Sequence, residues 1–163
     1  MGFFYSKKNA EIVATSFYNR SMANSRKPYR QISHTADLGL EVWGKDLPDL
    51  FRQAGLAFFD VMVETSRIQL HQERAITVDA PDLEALLVAW LGELLYVFET
   101  EHLVLGRFLI QTMTFQGLSA IGWGEIFDPQ KHRVKTVIKA VTYHQLRLWE
   151  AKGSWRARVI FDL

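Results

Sequence analysis

The chain has 163 residues, 48% of them hydrophobic and 23% charged, with a formal net charge of +1 and no cysteine. That is one domain's worth of chain, able to bury a core and too apolar for intrinsic disorder. The absence of Cys removes disulfides, Fe–S clusters, thiolate zinc sites and thiol nucleophiles, and fits a reducing, cytoplasmic setting. The small total charge hides a partition: residues 1–30 carry +5, residues 31–104 carry −9 and residues 105–163 carry +5.

In chain order, residues 1–28 are expected to be a disordered or extraneous extension, with Met22 an alternative start. They hold basic and Ser residues but no sustained apolar run, which argues against a secretory signal. A single domain is expected over residues 29–163. Leu38, Leu40 and Val42 alternate with Gly39, Glu41 and Trp43, the period of a half-buried strand. Gly44-Lys45 turns the chain, and Asp46-Leu-Pro-Asp49 offers an N-cap, an early Pro and an acid in the first turn of a helix. That helix carries Leu47, Leu50, Phe51, Ala54, Ala57, Phe58, Val61 and Met62 as one apolar stripe.

A short strand, Ala75–Val78, leads to Asp79-Ala-Pro-Asp82, a second helix start of the same chemistry. The helix from Leu83 to Phe98 is apolar on more than one side, so it is expected to be central. Interrupted by Glu84 and Glu93, it is shorter than the ~20 residues of a bilayer span, and no membrane association is expected. Strands follow at Phe108–Phe115 and Leu118–Glu125, with Gly122-Trp-Gly124 read as a bulge or close backbone approach. A polar loop, Phe127–Val134, precedes extended chain over Val137–Tyr143. The last hairpin runs out through His144–Glu150, turns at Ala151-Lys-Gly153 and returns through Trp155–Phe161, with Arg156 and Arg158 facing away from Ala157 and Val159. Helices early and strands late predict an α+β domain, mostly antiparallel sheet with two principal helices.

No phosphate-binding glycine loop, nucleophile elbow or His-Glu-x-x-His pair is present, and no catalytic residue is assigned. Three polar features stand out instead. Ser33-His34-Thr35-Ala36-Asp37 lies directly before a strand, where Asp37 either closes a turn or ligates a hard cation. A strand running to the last residue brings the Asp162 carboxylate close to the terminal carboxylate of Leu163, either as a solvated end or around a shared cation. Lys131-His132-Arg133, Lys135, Lys139 and Tyr143-His144 form a basic stretch with aromatic neighbours, suited to phosphate or RNA backbone or to a solvated face.

His34-Thr-Ala-Asp37, Val42-Trp-Gly44, Trp90-Leu-Gly-Glu-Leu-Leu-Tyr96, Gly122-Trp-Gly-Glu125, Asp128-Pro129, Lys135-Thr136, Lys139-Ala-Val-Thr-Tyr-His144 and the Asp162-Leu163 end resemble, in order and spacing, the successive motifs of the archease family. The resemblance covers residues 29–163 and implies a small α+β protein that assists the GTP-dependent tRNA-splicing RNA ligase. It implies promotion of ligase guanylylation and multiple turnover, RNA being met through the ligase, without catalysis of its own. It also implies a divalent cation, Ca²⁺ or Mg²⁺, held by Asp37, Asp162 and Leu163. His34 is expected to orient the turn by a hydrogen bond to a ligand, and Lys135, Lys139 and His144 to face the partner or a nucleotide. Two other classes remain open. One is a metal-dependent hydrolase or nucleotide-modifying enzyme using Asp37 and Asp162; the other is a stand-alone RNA-binding module using Lys131–Lys139.

Overall fold

Two Asp-initiated helices form the centre of the molecule. A computed structural model of the chain describes residues 26–33 and 36–163. The expected extension, as far as residue 25, and His34 lie outside the described residues. Helix α1, Leu47–Met62, starts where the Asp46 side chain accepts from the Asp49 N–H at 2.8 Å, with Pro48 in its first turn. Helix α2, Leu83–Glu101, starts in the same way, Asp82 accepting from the Ala85 N–H at 2.8 Å, and ends at His102 in the left-handed conformation (φ 54°). These side-chain acceptors satisfy amide groups that a helix start leaves orphaned.

Among the described residues seven strands form two antiparallel sheets. Strands β1 (Tyr29–Ser33), β2 (Asp37–Gly44), β6 (Ala140–Ala151) and β7 (Ser154–Asp162) make a four-stranded sheet in the order β1-β2-β7-β6. Strands β3 (Gln72–Asp79), β4 (Leu103–Met113) and β5 (Gly117–Ile126) make a three-stranded sheet in the order β3-β5-β4. Both helices pack against strands of both sheets. That explains why α2 is apolar nearly all round: Leu86, Leu87, Trp90, Leu91 and Leu94 are fully buried. Trp90 fits the core because its indole N–H donates to the Phe51 carbonyl at 2.9 Å. No helix among the described residues is long and apolar enough to cross a membrane.

Four strands differ from the sequence reading. Strand β1 pairs along its length with β2 although it is too polar to announce itself. Strand β3 begins at Gln72, three residues early, because the polar Gln72-Glu-Arg74 segment pairs with Gly122–Gly124 at a sheet edge. Strand β4 begins at Leu103, well before Phe108, because a register shift between Leu105 and Arg107 breaks its alternation. Strand β6 is continuous from Ala140 through the expected hairpin strand, interrupted by a shift between Thr142 and Arg147 where Gln145 has φ 52°. The terminal hairpin turns at Lys152 and Gly153, both with positive φ, which matches the right-handed twist of its strands.

Candidate functional site

Alternation along β7 buries Phe161 completely and leaves Asp162 exposed. The Phe161 ring lies 5.7 Å from that of Phe58 on α1, so the last strand is pinned to the core one residue before the candidate ligand. On either side of β7, Asp162 pairs with Asp37 at the start of β2 and with Ala140 at the start of β6. Its carbonyl also accepts from the Lys139 N–H at 2.8 Å. Directly opposed residues of an antiparallel pair have Cβ atoms about 5 Å apart, so the two carboxylates are neighbours on one face. Leu163, 39% exposed, follows immediately with the terminal carboxylate.

Like charges directly opposed across a ladder are destabilising. Among the described residues neither the Asp37 nor the Asp162 side chain has an ion-pair or hydrogen-bond partner that offsets this. The donors are carboxylate oxygens, the ligand type that suits Ca²⁺ or Mg²⁺. The described residues contain no cluster of three or more His, Cys, Asp or Glu side chains able to hold a metal. On donor chemistry and register the residues fit a hard divalent cation.

The basic stretch is not one face. Lys135 reaches 3.3 Å from Asp60 at the end of α1, whereas Lys139 is exposed beside Asp162 and His144 is exposed in the irregular part of β6. Residues 135–139 precede β6, so no strand alternation aligns Lys135 with Lys139. Lys131 and His132 are engaged inward. His132 is 3% exposed; its Nδ1 accepts from the Asp128 N–H at 2.9 Å, so Nε2 carries the proton and faces Glu125 at 3.0 Å. Burial would raise the Glu125 carboxyl, but Lys131 at 2.7 Å, the Gln69 N–H and His132 outweigh it and hold it at about 2.

Asp60 is a second hub, in a cleft of about 680 Å³ between α1, the segment after it and β4. It accepts from Lys27 at 2.8 Å, Thr65 at 2.9 Å and the Tyr29 hydroxyl. Burial would raise its carboxyl, but these donors and the Lys135 charge outweigh it and hold it at about 2. The Tyr29 hydroxyl is pushed up to about 12, by burial first and by Asp60 second. Both carboxyls are depressed, so the stability they contribute is full above about pH 5 and is lost as pH falls toward 2. Asp60 accounts for at most about 2 kcal/mol of it. Urea midpoints at pH 7 and pH 3 should show this loss, and Asp60→Asn should flatten it.

Glu41, on the outward face of β2, is a polar residue that no sequence motif singles out. It is 4% exposed although it points away from Leu40 and Val42, because Arg30 on β1 and Arg158 on β7 each close on it at 3.2 Å. The shared outward parity of Glu41 and Arg158 was the available signal.

Fold and site together define a small α+β protein, with two helices among the described residues, whose candidate ligands meet at a strand end. The model of the Archease protein family (MTH1598/TM1083) matches residues 29–163. The archease of Methanosarcina mazei is 37% identical over 146 residues, covering 87% of this chain and all of that protein. The Pyrococcus furiosus archease is 37% identical over 141 residues, covering 84% and 99%. The solution structure of a Methanobacterium thermoautotrophicum protein superposes with a TM-score of 0.74 at 31% identity, over 85% of this chain and all of that one. The crystal structure of a Thermotoga maritima archease, described as a possible chaperone, has a TM-score of 0.56 at 21% identity, over 86% and 98%, a likeness of fold. The chain belongs to the archease family.

Proposed function

We propose that this archease is an accessory protein of the GTP-dependent tRNA-splicing RNA ligase, working in the cytoplasm and promoting guanylylation and repeated turnover without catalysis of its own. The observation that carries this reading is the register of β2 and β7, which opposes Asp37 and Asp162 one residue from the chain end. Bound there, a divalent cation would supply Lewis-acid charge stabilisation to phosphate groups of the partner's reaction. The protein's part is positional: Phe161 and the two flanking strands hold the carboxylates at a fixed, accessible edge. His34 is assigned the orienting of the turn before Asp37, and Lys135, Lys139 and His144 are assigned separate contacts with the ligase or its nucleotide, Lys135 from beside Asp60. The description of the Thermotoga maritima protein as a possible chaperone agrees with a role exerted on another protein.

A short extension after Leu163 moves the terminal carboxylate and leaves the core untouched. It is expected to weaken Ca²⁺ or Mg²⁺ binding by calorimetry and to abolish ligase stimulation. Unchanged binding and stimulation would remove Leu163 from the site. Incubating the protein alone with metal, nucleotides and RNA should give no turnover; turnover without ligase would favour the hydrolase reading.

A further inference from the structure

The outer face of the four-stranded sheet, turned away from the helices, carries two rows that the proposed metal centre does not use. Directly paired residues share a face. One row therefore runs Arg30, Glu41, Arg158, Arg147 across all four strands, and the next runs Trp43, Arg156, Trp149 across three. Leu40, Val42, Ala157 and Val159, of the opposite parity, are buried in the core. Four guanidinium groups thus stand over one carboxylate. Glu41 is already shared by Arg30 and Arg158, so these two rows keep a surplus of positive charge, with Asp37 and Asp162 two rows away on the same face. The Arg147 guanidinium lies over the Trp149 ring at 5.0 Å. The Nε atoms of Arg156 and Arg158 are buried with no acceptor among the described residues. A depression of about 440 Å³ adjoins the first row, walled by Arg30 and Ser33 of β1 with Arg158 and Gln145 opposite.

We propose that this Arg/Trp face binds single-stranded RNA directly. Guanidinium forks match phosphate oxygens, and tryptophan rings offer flat surfaces on which unstacked bases settle. A single strand presents both groups together, whereas an acidic protein surface would use the charges and leave the rings idle. The Lys131–Lys139 stretch is a poorer footprint, because Lys131, His132 and Lys135 are committed to Glu125 and Asp60. The proposal requires neither the metal centre nor the ligase, so it stands or falls separately from the accessory reading.

The test uses the full chain alone with a short oligouridine, followed by anisotropy and by tryptophan fluorescence. Saturable binding is expected at about 50 mM salt, falling by about 20-fold at about 200 mM if about three phosphates are neutralised. Binding should quench fluorescence. The R147Q/R156Q variant should lower the salt slope by about 1.4, and Trp149→Leu should cost about tenfold in affinity together with part of the quench. R67Q and R133Q should change neither, and thermal melting should show each variant folded. Should Trp149→Leu fail to fold, the arginine pair decides the matter. Absence of saturable binding, unchanged affinity and slope in R147Q/R156Q, or polyphosphate competing as well as RNA without quenching would overturn the proposal. So would loss of an acidic protein partner by R147Q/R156Q when the wild type binds no RNA.

Discussion

Gly124→Ala is expected to lower the stability of this protein by about 3 kcal/mol, at the top of the range for overpacked interiors. Gly124 lies in β5, the middle strand of the smaller sheet, paired with Gln72 on one side and Leu105 on the other. A Cβ built there falls 1.8 Å from the Val104 carbonyl oxygen and 2.8 Å from the Leu105 Cα. These are backbone atoms of the neighbouring strand, next to its register shift, so no rotamer change relieves the overlap. Relief requires parting β4 from β5, which carries Leu103, Val104 and Leu105 out of the core. The midpoint of urea unfolding checks the effect. A loss below about 1 kcal/mol would mean that the close approach is easily relaxed and has little to do with keeping glycine at this position.

Asp162→Asn should act in opposite directions with and without metal. In EDTA the variant is expected to be more stable than the wild type, by up to about 1 kcal/mol, because one member of an opposed like-charge pair is removed. With Ca²⁺ or Mg²⁺ at about 100 times its dissociation constant, the wild type should gain about 2.7 kcal/mol. The variant, which keeps the Asp37 and terminal carboxylates but lacks the ligand between them, should gain far less. Thermal unfolding under the two conditions separates the curves, and their order should invert on adding cation. An equal gain in both proteins would take Asp162 out of the proposed site.

The elements best legible in the sequence are those specified locally. Asp46-Leu-Pro-Asp49 and Asp79-Ala-Pro-Asp82 announce helix starts by cap chemistry, and the stripes after them mark buried faces. Gly122-Trp-Gly124, read as a bulge or a close backbone approach, has the close approach at Gly124. What stayed hidden depends on partners distant in the chain. Asp37 and Asp162 stood out separately, each with an ordinary alternative; their opposition is a property of register, which no local pattern encodes. Glu41 reads as an outward residue and does point outward, yet it is buried by arginines from two other strands. His132 sits in a segment polar enough to be taken for a solvated loop, but its ring is held between Asp128 and Glu125. In β4 and β6 the register shifts reset the two-residue period, so alternation lost the strand start in one and divided the other.

A multiple-turnover RNA ligation assay tests most directly whether the acidic strand end activates a ligase. The cognate ligase is supplied in limiting amount with excess RNA ends, and product is followed alone, with the wild-type protein, and with Asp37→Ala or Asp162→Ala shown by melting to be folded. Sealing by the ligase alone is expected to stall near one product per enzyme, the wild-type protein to sustain it, and neither variant to do so. Full stimulation by the two variants would contradict this expectation.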